Sequence, residues 1–329
     1  MKPNRYSTCF LLLAFGSIQS VSAGDRDGDH RHRWRASPCQ NSAVSLYKAC
    51  TFEIRDDLNS TEASCAHIAD YAARKSCEAL AEEAYDEGRE ACMAQVQSRF
   101  EVCGLLAEWR YDDPIADPLI EFIDPNEVPS IYPRNPYVSV EAGRTLLLRG
   151  GEDFEERVVI HVTDEIREIQ GVPCRIVWDI VMVGEENEEG ELEYEPVEVT
   201  QDWFAQSAAG DVYYCGEAVQ DYEDGLVVSL DGAFEAGTDY AKGGLLTQAN
   251  PMIGLTHRQE MAVGEAEDLV EYLESAAVPS QEEGGDNPNV ACAPTGCLKT
   301  FDFSTLDPES TEYKYYLPGT GFVLAVALE

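Results

Sequence analysis

The sequence predicts an α+β protein, an N-terminal disulfide-stapled helical hairpin followed by a mainly antiparallel β domain in the form of a barrel or sandwich. Residues 39–107 carry apolar positions at helical spacing and contain no proline. Six cysteines recur through the same stretch. From residue 137 the pattern changes to alternation of apolar and polar residues, broken by closely spaced turn signals.

The chain has 329 residues, with 62 Asp plus Glu against 23 Lys plus Arg and a formal net charge of −39. Such acidity repels a nucleic-acid backbone and an anionic membrane surface alike. The 44% hydrophobic content is enough for a sizeable core and excludes wholesale disorder. Residues 1–23 read as a secretory signal peptide. Lys2 and Arg5 precede the apolar run from Cys9 to Ile18, and Val21-Ser22-Ala23 supplies small residues for cleavage. That run falls short of the ~20 residues a spanning helix needs, and no later stretch reaches it. The expectation is therefore a secreted protein, periplasmic or extracellular, with no membrane span and no nucleic-acid partner. Removal of the signal also removes Cys9, one of 11 cysteines, and leaves an even number, which favours disulfides in an exported chain.

Residues 24–38 form a polar, locally basic N-terminus, expected to be flexible. Asp25-Arg-Asp27-Gly-Asp29 begins like a calcium loop, but His30 stands where that loop needs glycine and Ala36 where it needs glutamate. The segment is not an EF-hand. Asp25, Asp27, Asp29, His30 and His32 are nonetheless the candidate ligands for a metal ion. Ca²⁺ is the candidate cofactor, with further carboxylates in the acidic runs 184–190, 221–224 and 282–286.

Within the Cys-rich helical segment 39–107, two helices are expected at about 42–57 and 61–83, with Ser60 as N-cap of the second. A third, about 84–107, is separated from the second only by Gly88. Cys39, Cys50, Cys65, Cys77, Cys92 and Cys103 are disulfide candidates. At ~100° per residue, an interval of 11 returns a side chain nearly to the same face, so Cys39 shares a face with Cys50, and Cys92 with Cys103. A hairpin of the first two helices pairs Cys50 with Cys65 and Cys39 with Cys77. Cys92 and Cys103 then reach into the β domain or into a second copy of the chain. The alternative pairs Cys77 with Cys92 and Cys65 with Cys103, and strands Cys39 and Cys50. Both remain open at this level.

A Pro-rich linker follows at 108–136, with six prolines between Pro114 and Pro136. In the β domain, 137–329, Val158, Ile160 and Val162 share one strand face, as do Ile176, Trp178, Ile180 and Met182. Turn signals at Gln170-Gly171, Glu189-Gly190, Gly210-Asp211, Asp224-Gly225 and Asp231-Gly232 leave no room for crossover helices. One short helix is expected near 265–275. Cys174, Cys215, Cys292 and Cys297 complete the disulfide candidates.

Several stretches of this domain match a familiar pattern: Asp202-Trp-Phe-Ala-Gln206 followed by Gly210-Asp-Val-Tyr-Tyr214 and Gly216-Glu217, and later Glu312-Tyr-Lys-Tyr-Tyr316 with Pro318-Gly-Thr-Gly321-Phe-Val. The domain resembles a family of uncharacterised exported bacterial proteins over most of residues 137–329. The resemblance implies an exported β-rich domain and supplies no activity. This chain departs from the family at Cys215, where an aromatic residue is more usual.

Trp178, Trp203, Tyr213 and Tyr214 are candidate linings of a ligand cavity in a curved sheet, although packing is the simpler account of them. No HExxH, GxSxG or Gly-rich phosphate loop nominates a catalytic residue. The functional expectation is an exported, non-enzymatic binding or structural (assembly) protein with an acidic surface, whose partner is another copy of itself or another exported protein. The alternatives are an exported hydrolase with scattered His and carboxylates, and a protein that binds a divalent metal.

Overall fold

The computed structural model describes residues 37–107, 109–151, 155–186, 190, 192–281, 283, 292 and 294–328. The candidate signal peptide and the metal candidates Asp25, Asp27, Asp29, His30 and His32 lie outside the described residues.

Two long helices open the described chain, α1 (Pro38–Cys65) and α2 (Tyr71–Leu105). Ser37 caps α1 reciprocally: its side chain accepts from the Gln40 amide, and the Gln40 side chain accepts from the Ser37 amide, with Pro38 in the first turn. Asp70 caps α2 by accepting from the Ala73 amide. The expected break at residues 58–60 is absent, and Ser60 sits inside α1, where its carbonyl accepts from the Ser64 hydroxyl. Gly88 does not interrupt α2 either. A Cβ there would stand 2.8 Å from the Ile54 side chain, so the glycine lets the two helices approach closely.

The hairpin is closed by three nested disulfides, Cys39–Cys103, Cys50–Cys92 and Cys65–Cys77, with Cα separations of 5.9, 5.9 and 5.7 Å. Both expected pairings are thereby corrected. The partners of Cys92 and Cys103 lie on α1 and not in the β domain or another chain, because α1 runs on to Cys65 and places the turn at 66–70. Few side chains are buried along the hairpin, Ala43 and Cys65 on α1 and a short series ending at Val102 and Cys103 on α2. With so little apolar contact, the cross-links supply what the core does not.

The β domain contains β1 (Thr145–Gly150), β2 (Glu156–Ile169), β3 (Val172–Glu186), β4 (Leu192–Gln206), β5 (Val212–Glu223), β6 (Leu226–Ser229) and β7 (Phe234–Glu235). It continues through β8 (Lys242–Thr247), β9 (Thr256–Arg258), β10 (Glu260–Met261), β11 (Asp268–Ala277), β12 (Cys297–Ser304), β13 (Thr311–Leu317) and β14 (Gly321–Leu328). All pairings are antiparallel. A nine-stranded sheet runs β1-β2-β3-β4-β5-β8-β10, with β6 and β7 also on β5, and curls as a half-barrel. A five-stranded sheet runs β14-β13-β12-β11-β9. The sheets adjoin at both edges, β1 beside β14 and β8 and β10 beside β9 and β11.

The helix expected near 265–275 is instead β11. Its ladder to β12 is bulged between Tyr272 and Glu274 and again between Glu274 and Ala277, which disrupts the two-residue alternation that marks a strand. Cys174 on β3 bonds Cys215 on β5 across the intervening β4, where the buried Ala205 of the same apolar cluster is small enough to leave room. Cys292 bonds Cys297 at the start of β12.

The Pro-rich segment is tied to the sheet. Ile115 and Phe122 pack into the cluster around Trp203 and the Cys174–Cys215 bridge. Arg175, fully buried, donates to the Val140 carbonyl at 3.1 Å and the Asn126 side chain at 2.8 Å. Asn135 donates to the Gly210 carbonyl and accepts from the Tyr137 and Val138 amides. No described helix is long and apolar enough to cross a membrane.

Candidate functional site

Between the two sheets lies a cavity of about 190 Å³. Its apolar walls come from both: Leu146 of β1, Val162 of β2, Val177 of β3, Phe204 of β4, Leu246 of β8 and Phe322 of β14. The face shared by Ile160 and Val162 points into this space, as their alternation requires. The charged groups in the described lining are Asp179 of β3, Asp202 of β4, Lys314 of β13 and Arg144.

The charges are unevenly matched. The Lys314 ammonium stands 3.0 Å from Glu312 and 3.4 Å from Asp302. Burial works against its charge, yet these carboxylates hold its pKa above the usual range. Arg144 donates to the carbonyls of Gly319 and Thr320. Asp179 and Asp202 form no ion pair with a described cation, and the Lys314 charge offsets only part of what burial does to Asp179. Burial, reinforced by Glu198, pushes Asp179 up to about 6, and its Oδ1 is buried without a hydrogen-bond partner. Burial likewise pushes Asp202 up to about 7, against the opposing hydrogen bond from the Tyr214 hydroxyl.

Behind Asp202 the network continues. The Tyr214 oxygen also lies 2.9 Å from Glu217 Oε2. A phenol has one proton to give, so when it bonds to Asp202 the second contact needs a protonated Glu217 as donor. Burial raises Glu217 to about 8, which supplies that proton. Glu260 is deeper still and is raised well above its usual value by burial, then by Asp268 and Glu217.

Of the four aromatic candidates, none lines this cavity. Trp203 points to the opposite face of β4, buried in the disulfide cluster, with the Arg167 guanidinium 4.0 Å from its ring centre. Tyr213 packs edge-on against Phe122. Tyr214 lies between Phe204 and Phe234, reaching the site only through its hydroxyl. Trp178 lies with His161 and Asp164 along an open depression. The residues missed are Asp179, Asp202 and Lys314, although Asp202 and Lys314 both fall in the stretches that carry the resemblance.

The described histidines do not converge on the cavity. His67 is exposed near the helical turn. His161 Nδ1 lies 2.7 Å from the Thr145 hydroxyl. His257 packs against Tyr272, and burial lowers it to about 4, so it is neutral at ordinary pH. Among the described residues, no group of three or more His, Cys, Asp or Glu is placed to hold a metal ion.

The fold and site define a class: a β domain with a small mixed apolar and acidic cavity between its sheets, carrying a cross-linked helical hairpin. No protein-family model, curated protein or solved structure matches the chain. The functional reading rests on the geometry.

Proposed function

We propose that this is an exported binding protein whose β domain holds a small amphiphile between its sheets. The ligand has an apolar body against Val162, Val177, Phe204 and Phe322 and a protonated amine as its head on Asp179 and Asp202. The observation that carries this reading is the buried, unpartnered Oδ1 of Asp179 at the wall of the cavity. Buried acceptors left unbonded are costly, and a donor from a ligand removes the penalty. An engineered apolar cavity of about 150 Å³ accepts benzene. A space of about 190 Å³ therefore suits a single ring with a short substituent. Disulfides throughout the chain support an oxidising compartment.

Calorimetric titration with phenethylamine at pH 7.5 tests the proposal. Saturable one-to-one binding is expected, weakened at least tenfold by Asp179→Asn, with toluene and phenylacetate binding more weakly than the amine. Equal binding of amine and phenylacetate, or an Asp179→Asn variant with unchanged affinity, would refute it.

A further inference from the structure

A second, smaller pocket of about 110 Å³ lies where the helical hairpin meets the β domain, and its chemistry is the reverse of the first. Four cations from different parts of the fold line it: Arg99 of α2, Arg110 after that helix, Lys242 of β8 and Arg258 of β9. In a chain where acids outnumber bases 62 to 23, Glu267 is the one carboxylate among the described residues of the lining. Glu267 is already taken by Arg99, which grips it through two bonds of 2.8 and 3.2 Å. That pair contributes no net charge to the pocket.

Lys242 and Arg110 are the cations that bear on a ligand. Lys242 donates one proton to the Tyr111 carbonyl, and an ammonium has two more to offer. Arg110 is exposed and makes no ion pair with a described residue. The Lys242 ammonium and the Arg258 guanidinium stand 5.9 and 5.8 Å from the Tyr111 ring centre, at the outer limit of a cation–π contact. The first turn of α1, at Pro38 and Cys39, also lines the pocket and adds the positive end of a 28-residue helix. Apart from Ser42, the rest of the wall is largely apolar, with Ala43, Leu46, Met261 and Val263.

The geometry points to a binding site for a short-chain monocarboxylate at this seam. The carboxylate meets Lys242 and Arg110, and the alkyl chain lies against Leu46, Met261 and Val263. Inorganic sulfate or phosphate fits less well, because oxygens on every side would face the apolar wall unbonded. Against the 150 Å³ that accepts benzene, a volume of about 110 Å³ holds an acid of propionate size. The site shares no lining residue with the cavity between the sheets and does not depend on what that cavity binds.

The test is an NMR titration of the full exported chain with propionate, propionamide and sulfate at pH 7. Saturable shifts with propionate are expected, at least tenfold tighter than with propionamide and tighter than with sulfate. Lys242→Gln and Arg110→Gln should each weaken propionate at least fivefold while leaving phenethylamine binding unchanged. Arg110 is exposed, so its variant keeps the test meaningful should Lys242→Gln fail to fold. The proposal is overturned by no saturable propionate binding, by propionamide binding equally, by sulfate binding as well as propionate, or by an Arg110→Gln variant with unaltered affinity.

Discussion

The Tyr214 hydroxyl donates to Asp202 inside the β domain, and that bond holds a carboxylate at the edge of the cavity in an environment where it ionises near pH 7. Glu217, on the other side of the same oxygen, ionises near pH 8. Acids with raised values bind their protons more tightly in the folded than in the unfolded chain, so stability falls as pH rises through the folded values. His257, lowered to about 4 from 6.5, has the opposite sign, but only below about pH 6.5, where the unfolded imidazole is charged. From pH 6.5 to 8.5 the carboxylates act alone. The protein should lose on the order of 2 kcal/mol of stability over that range. Urea midpoints across it provide the check, and Glu217→Gln should flatten part of the slope, leaving the share of Asp202 and Glu260. A flat or rising wild-type profile would contradict the network.

Arg99 and Glu267 join the helical hairpin to the β domain through a buried, two-bond ion pair, and Glu267 also accepts from Thr305 and the Gly264 amide. Arg99→Ala leaves that carboxylate buried without its cation, an arrangement that costs about 3–5 kcal/mol. The remaining donors place this case toward the lower end. Arg99→Lys should recover only part of the loss, since a single ammonium does not span both oxygens as the planar fork does. Thermal unfolding of the two variants measures the difference, and an Arg99→Ala protein as stable as the wild type would exclude a structural role for the pair.

All ten cysteines from Cys39 onward are paired within the chain. A maleimide reagent should therefore label none of them before reduction, and a non-reducing gel should show no cross-linked dimer. The double variant Cys50→Ser with Cys92→Ser opens the middle rung and should destabilise the hairpin by about 2–4 kcal/mol. The loss should be visible as helical circular dichroism melting ahead of the β signal. Coincident melting at the wild-type temperature would show that the middle rung contributes little.

The helical and β textures were legible because each has its own period, and the fold class follows from them. The cysteine pairing is legible too, in the order of the spacings rather than in shared helix faces. The intervals 11, 15, 12, 15 and 11 read the same in either direction. A symmetric series of that kind is what an antiparallel hairpin folded about its centre requires. The helix boundaries hid it, because Ser60 resembles a cap while the working cap is Asp70. The cavity was harder to find. In Ile176-Val-Trp-Asp-Ile-Val-Met182 both faces of the strand are largely apolar, so alternation cannot say which one is interior. It is Val177 and Asp179 that face the cavity, and Trp178 faces the other way. Asp179, Asp202 and Lys314 come together only through the pairing of β3 with β4 and the placement of β13 opposite, and neither relationship is written in a local pattern.

The nesting of the three bridges also decides what a protease can do to this molecule. Every peptide bond between residues 39 and 103 lies inside at least one closed ring, and the turn at 66–70 lies inside all three. A single nick anywhere in that span opens the backbone but sheds no fragment, because both new ends stay covalently moored to the same rod. The hairpin can be cut once in a digestive surrounding and keep its mass, its attachment and its partner helix, and only a reductant makes the damage visible.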